Sequence, residues 1–120
     1  MNDDGFVAKM CPGPEDPGKT IVIALRGAIR VERAAEVRDI FARALLGGEH
    51  VVLDLSGCSA LDLSFLQLLC SAHKTALRSN KHLKVGTILP ECFMKTVDEA
   101  GYARREECEV QIDNCLWARR

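Results

Sequence analysis

The apolar positions of this chain fall into short runs of β-forming residues separated by longer stretches of helical period, with glycine and proline at most of the boundaries. Residues 6–10, FVAKM, and residues 21–27, IVIALRG, read as strands. Between them Pro12, Gly13, Pro14, Pro17 and Gly18 punctuate a connection that cannot sit inside either element, which predicts an antiparallel hairpin. After Gly27 the period changes. Val31, Ala34, Val37, Phe41 and Leu45 share one helical face, with Glu32, Arg33, Glu36 and Arg38 largely off it, and Gly47 and Gly48 are expected to end this helix in the left-handed backbone that glycine tolerates. Residues 50–55, HVVLDL, suit a strand buried on both faces. From Ser64 the helical period returns, with Phe65, Leu68, Leu69, Ala72 and Ala76 on one stripe and the polar residues 78–81, RSNK, closing it. Residues 82–89, HLKVGTIL, read as the next strand, and Pro90 suits the first turn of a helix that Gly101 ends. Beyond Gly101 the pattern weakens to a short strand around residues 109–112 and an irregular terminus. The order β-β-α-β-α-β-α requires right-handed crossovers and predicts an α/β domain whose helices cover a mixed sheet.

Length and composition narrow the function more than the fold. A chain of 120 residues has the size of one domain, and residues 1–120 are expected to form a single unit. With 28% charged residues and a formal net charge of -1, neither a disordered tail nor a nucleic-acid-binding surface is advertised, and proteins or small molecules are the expected partners. No apolar run approaches the ~20 residues needed to cross a bilayer. The N-terminal MNDDGF lacks the basic and then apolar pattern of a signal peptide, so a cytoplasmic protein without membrane insertion is expected. The 6 cysteines, lacking a secretion signal, are expected to be reduced thiols packed mostly as small apolar groups.

The junction after HVVLDL carries the chemistry. Ser64 followed by Gln67 fits a capping box, and local physics favours this helix-starting role for the serine. The same position exposes a hydroxyl at a positive helix end, where an added phosphate would be stabilised.

The segment HVVLDLSGCSALDLSFLQLL, with the following KHLKV, resembles the STAS domain family, the anti-sigma-factor antagonists and their relatives. The resemblance extends through IALRGAIRVERAAEVRDIF and into VDEAGY, covering about residues 5–103, while the last residues depart from it and the family's C-terminal helix looks shortened or missing. It implies a single STAS-like domain, a mixed sheet with helices mainly on one face, and a non-enzymatic regulatory module without a cofactor that binds another protein. The family's pattern at the junction is an aspartate, a phosphoacceptor serine, a second serine and a glycine. Here these positions hold Asp62, Leu63, Ser64 and Phe65, and Arg30 stands where the family usually has an aspartate near the phosphosite. Leucine cannot be phosphorylated, so the usual off-switch is absent at Leu63, and phosphorylation at Ser64 is the minority expectation. The partner-binding surface implied by the resemblance comprises Arg30, Asp62, Leu63, Ser64, Phe65 and Leu66. Its less acidic charge and apolar neighbours change what a partner must match. Phe65 is read either as part of that surface or as turned inward on the helix stripe. The partner implied is an anti-sigma-type serine kinase or a larger signalling or transport assembly.

Other constellations are weaker. Cys58, Cys70, Cys92, Cys108 and Cys115 show no CxxC spacing, so no metal site is expected. His50, His73 and His82 assemble into no catalytic motif with serine, cysteine and carboxylate partners. Two rivals to the protein-binding reading stay open: a lipid or nucleotide sensor using the apolar junction, and a redox module acting through Cys92, Cys108 and Cys115. Trp117 is read as covering a core edge, or as an interface anchor.

Overall fold

Two parallel strands form the centre of the molecule. In the computed structural model, which describes residues 5–13, 18–86 and 88–100, β2 (Thr20–Ile29) and β3 (His50–Leu61) run side by side from the pair Thr20 and His50 to the pair Ile29 and Leu61. The edge strand β1 (Val7–Pro12) lies antiparallel to β2, and β4 (His82–Val85) lies parallel to β3, giving the sheet order β1-β2-β3-β4. Helices α1 (Ala34–Gly47) and α2 (Leu63–Arg78) form the two crossovers, and α3 (Glu91–Glu99) follows β4. The expected element order and the mixed α/β sheet are therefore present.

Burial follows the pleat. Ile23, Val51, Leu53, Leu55 and Leu83 are buried, whereas the intervening Val22, Val52 and Asp54 are half-buried. The expectation that β3 is buried on both faces is thus corrected: one face is dry and the other is partly wet. Onto the dry face pack Val37, Ile40, Phe41 and Ala44 of α1, Phe65, Leu66, Leu69, Ala72 and Ala76 of α2, and Phe93 and Val97 of α3, in one continuous cluster. Each fully buried leucine- or phenylalanine-sized side chain contributes about 1.5–3 kcal/mol relative to exposure, so this shared face dominates stability.

Several boundaries differ from the sequence reading for local reasons. Pro12 is the last residue of β1, tolerated because the strand lies at the sheet edge. The first crossover begins with a 3₁₀ turn, Val31–Arg33, which takes Val31 off the apolar face of α1 and leaves it exposed. Gly47 is still helical, and Gly48 is extended, not left-handed. A Cβ on Gly48 would come within 3.0 Å of both the Lys19 carbonyl oxygen and the Ile21 Cδ1, so close approach of the preceding strand is what calls for glycine there. β3 runs on through residues 56–61, accommodated by register shifts between Ala24 and Arg26 and between Gly27 and Ala28, with Gly27 at φ 81°. β4 stops at Val85, and Pro90 precedes the first turn of α3 as its N-cap. At the end of α2 the left-handed residue is Asn80, and the Lys81 ammonium donates to the Leu45 carbonyl near the end of α1. Gly101, the expected strand at 109–112, Cys108, Cys115 and Trp117 lie outside the described residues.

Asp54 is fixed within β3 itself. The Ser56 backbone N–H donates to its Oδ1 at 3.0 Å. That N–H, followed by the Ser56 hydroxyl, holds the carboxyl below its ordinary value of 3.8 against the opposing effect of burial, and Arg26 adds a smaller electrostatic pull in the same direction.

Candidate functional site

Because β2 and β3 are parallel and end in register at Ile29 and Leu61, the residues that follow them emerge side by side. Arg30 and the 3₁₀ turn leave β2, and Asp62 and the start of α2 leave β3. This edge, at the carboxyl ends of parallel strands, is where open α/β sheets commonly place their binding residues.

Asp62 ties the two exits together. Its Oδ2 accepts the Val31 N–H at 3.1 Å, and its Oδ1 accepts the Ser64 hydroxyl at 2.5 Å. Asp62 is itself the N-cap residue of α2, in extended backbone, with its carbonyl accepting the Phe65 N–H at 3.1 Å. The expected capping box is therefore corrected. Ser64 lies inside the helix, and its hydroxyl donates to a side chain instead of accepting from the backbone, because the helix starts at Leu63. On the neighbouring turn, Arg33 is held by a 2.9 Å ion pair with Glu36 and stacks over the Phe6 ring at 5.2 Å.

The six residues expected at the surface divide. Arg30 is exposed, Asp62 and Ser64 are half-buried, and Leu63 is 46% exposed. Phe65 and Leu66 are 1% and 0% exposed and belong to the core, with the Phe65 ring 6.4 Å from that of Phe41. Of the two readings of Phe65, the inward one holds; neither Phe65 nor Leu66 presents its side chain to a partner. Val31, 61% exposed and joined through its N–H to Asp62, was missed. Its spacing from Ala34 fits a helix face, and only the pairing of Ile29 with Leu61 would have placed it beside the junction.

The remaining chemistry is sparse. Among the described residues no cluster of three or more histidine, cysteine or acidic side chains could hold a metal ion, and no helix is long and apolar enough to cross a membrane. A groove of about 150 Å³ between α1 and α2, lined by Phe41, Leu45, Leu68 and Ala72 with Arg38 and Thr75, includes neither Leu63 nor Phe65. His50 and His82, which begin β3 and β4, stack at 5.0 Å. Cys11, Cys58, Cys70 and Cys92 are free thiols.

This fold and junction define a small α/β domain with a mixed sheet and two parallel central strands, and the comparisons with known proteins place it. The chain belongs to the STAS family: the family model described as Mlab, STAS domain matches residues 13–113. Among solved structures it is similar to an anti-sigma factor antagonist from Mycobacterium paratuberculosis, with TM-score 0.65 and 14% identity over 85% of this chain and 83% of that one. It is also similar to the Bacillus cell fate determinant SpoIIAA in its phosphorylated form, with TM-score 0.59 and 16% identity over 81% and 84% of the two chains. An antisigma-factor antagonist STAS domain from Rhodobacter sphaeroides gives TM-score 0.53 and 18% identity, covering 67% of this chain and 84% of that one. At these identities the likeness is one of fold. No curated protein matches the chain.

Proposed function

We propose that this domain is a non-enzymatic, cytoplasmic regulatory module that binds a protein partner through the edge formed by Arg30, Val31, Asp62, Leu63 and Ser64. The observation that carries this reading is the pair of exposed apolar side chains, Val31 and Leu63, fixed on adjacent strand exits by the Asp62 carboxylate. Pre-ordered apolar residues rimmed by charge are the usual anchors of protein interfaces. The resemblance to the antagonists supplies the partner class, an anti-sigma-type serine kinase or a larger signalling or transport assembly. Leu63 occupies the position of the phosphoacceptor, so binding is not switched off there. Ser64 is a poor substitute acceptor: a phosphate on its hydroxyl would replace the proton it donates to Asp62 and set a second anionic group against that carboxylate.

Capture from native cells with mild crosslinking, followed by mass spectrometry of the partners and of the Ser64 peptide, tests the reading. A serine kinase of that type or a defined signalling or transport assembly is expected, with Ser64 unmodified. Leu63→Arg is expected to reduce capture of that partner at least tenfold, which corresponds to about 1.4 kcal/mol or more, without lowering the unfolding temperature. Undiminished capture by the variant would remove this edge from the interface, and stoichiometric phosphorylation of Ser64 would overturn the account of the switch.

A further inference from the structure

Cys58, near the end of β3, and Cys92, in the first turn of α3, bring their sulfurs within 3.6 Å of each other although they are 34 positions apart in sequence. We propose that these two thiols are a modification site, at which a low-molecular-weight disulfide such as oxidised glutathione converts them into a disulfide that ties α3 to β3.

Two cysteines in contact can be simple space-fillers, since thiols pack as small apolar groups. What distinguishes this pair is its asymmetry. Cys58 is buried, and its thiol donates to the Ala60 carbonyl at 3.4 Å. Cys92 is half-buried, with its sulfur 3.5 Å from the Cys58 carbonyl oxygen and in contact with the Cys58 sulfur. Cys92 is therefore the more exposed member of the pair and Cys58 the buried one. Burial, reinforced by the hydrogen bond and the charge of Cys92 and opposed by the Ala60 carbonyl, pushes the Cys58 thiol up to about 12, so Cys58 is not the thiol that attacks first, and the two contributions of Cys92 end once that sulfur is held in a mixed disulfide. Bond formation needs the sulfurs to close to about 2.0 Å, a movement on the scale of a side-chain rotation.

The exchange balances without a further reagent. The Cys92 sulfur attacks one sulfur of oxidised glutathione, that S–S bond breaks, and the departing glutathione thiolate takes the Cys92 proton. The Cys58 sulfur then attacks Cys92 Sγ in the mixed disulfide, forming the protein disulfide and releasing the second glutathione, which takes the Cys58 proton. Two protein thiols are oxidised, and one glutathione disulfide is reduced to two thiols.

The test uses the full chain, reduced, then exposed to oxidised glutathione, quenched by alkylation and mapped by mass spectrometry without reduction. The expected product is a peptide pair joined through Cys58 and Cys92, in protein about 2 Da lighter for that link. Exposed Cys11 serves as the internal control for reagent activity. In Cys58→Ser the Cys92–glutathione adduct is expected to persist, and in Cys92→Ser the folded protein is expected to leave Cys58 unmodified. The proposal is overturned if wild-type protein accumulates the Cys92 adduct while Cys58 is alkylated only after denaturation, if Cys92 links to Cys108 or Cys115 instead, or if both thiols stay free while Cys11 is modified. The wild-type map decides the matter even if neither variant folds.

Discussion

Asp62 illustrates how one side chain can hold two strand exits together. Both carboxylate oxygens are engaged, one by the turn after β2 and one by Ser64. Replacing Asp62 with alanine is expected to cost about 1 kcal/mol, because the orphaned Val31 N–H is near enough to the surface for water to replace the lost acceptor. Chemical denaturation would measure that loss, and Ser64→Ala should fall short of it. Asp54, by contrast, leaves a pH signature. Its folded-state pKa lies below the ordinary 3.8, so its ionised form contributes stability that is present above that value and is lost as pH falls through the folded one. Asp54→Asn should accordingly be less stable than wild type at neutral pH, with the gap closing in acid. A series of urea titrations across pH would reveal a gap independent of pH if the Ser56 contacts do not favour the ionised form. Core and edge residues at the junction should separate just as cleanly. Phe65→Ala is expected to cost about 3–5 kcal/mol of stability, as large aromatic deletions from a core do, whereas Leu63→Arg should leave unfolding unchanged within about 0.5 kcal/mol.

At the scale of elements, glycine positions show where chain geometry was readable and where it was not. The sequence marks the end of α1 by Gly47 and Gly48, and the helix does end there, yet the reason is spatial: Gly48 lies against Lys19, just before β2, and Ile21 within it, both distant in sequence. Gly48→Ala is expected to destabilise by about 1–2 kcal/mol, since a backbone carbonyl cannot yield as a flexible side chain would; an unchanged thermal midpoint would show that β2 shifts freely. The same distinction explains the rest of the reading. Hydrophobic period located α1, α2 and the central strands, and Pro90 with Gly101 located α3, because those signals are local. Both Val31 and the true helix start at Leu63 escaped, because each depends on the parallel pairing of β2 with β3, which no window of the sequence contains. Phe65 was legible only as a choice between inward and outward, and the helix phase set by Asp62 as N-cap decides it. The Cys58 and Cys92 contact had no signal at all, since α3 and β3 meet only in the folded molecule.

For the molecule as a whole, the shared dry face makes the edge that carries Val31 and Leu63 a product of the complete fold, since neither strand exit is positioned until β2 and β3 are paired. Parallel neighbours cannot be joined by a tight turn, and here the intervening segment is α1. This arrangement has a consequence in time. The β2-α1-β3 unit must gather contacts such as that between Thr20 and His50 before the sheet centre exists, and such non-local closure is what limits folding speed. Ala44→Gly, in the buried part of that crossover helix, is therefore expected to slow refolding several-fold. A comparable loss of stability placed in α3 should chiefly hasten unfolding, and stopped-flow measurements in both directions would separate the two. Equal effects on both limbs would place α3 in the same early event. The helix between the two central strands thus sets how soon after synthesis the Val31 and Leu63 edge is complete.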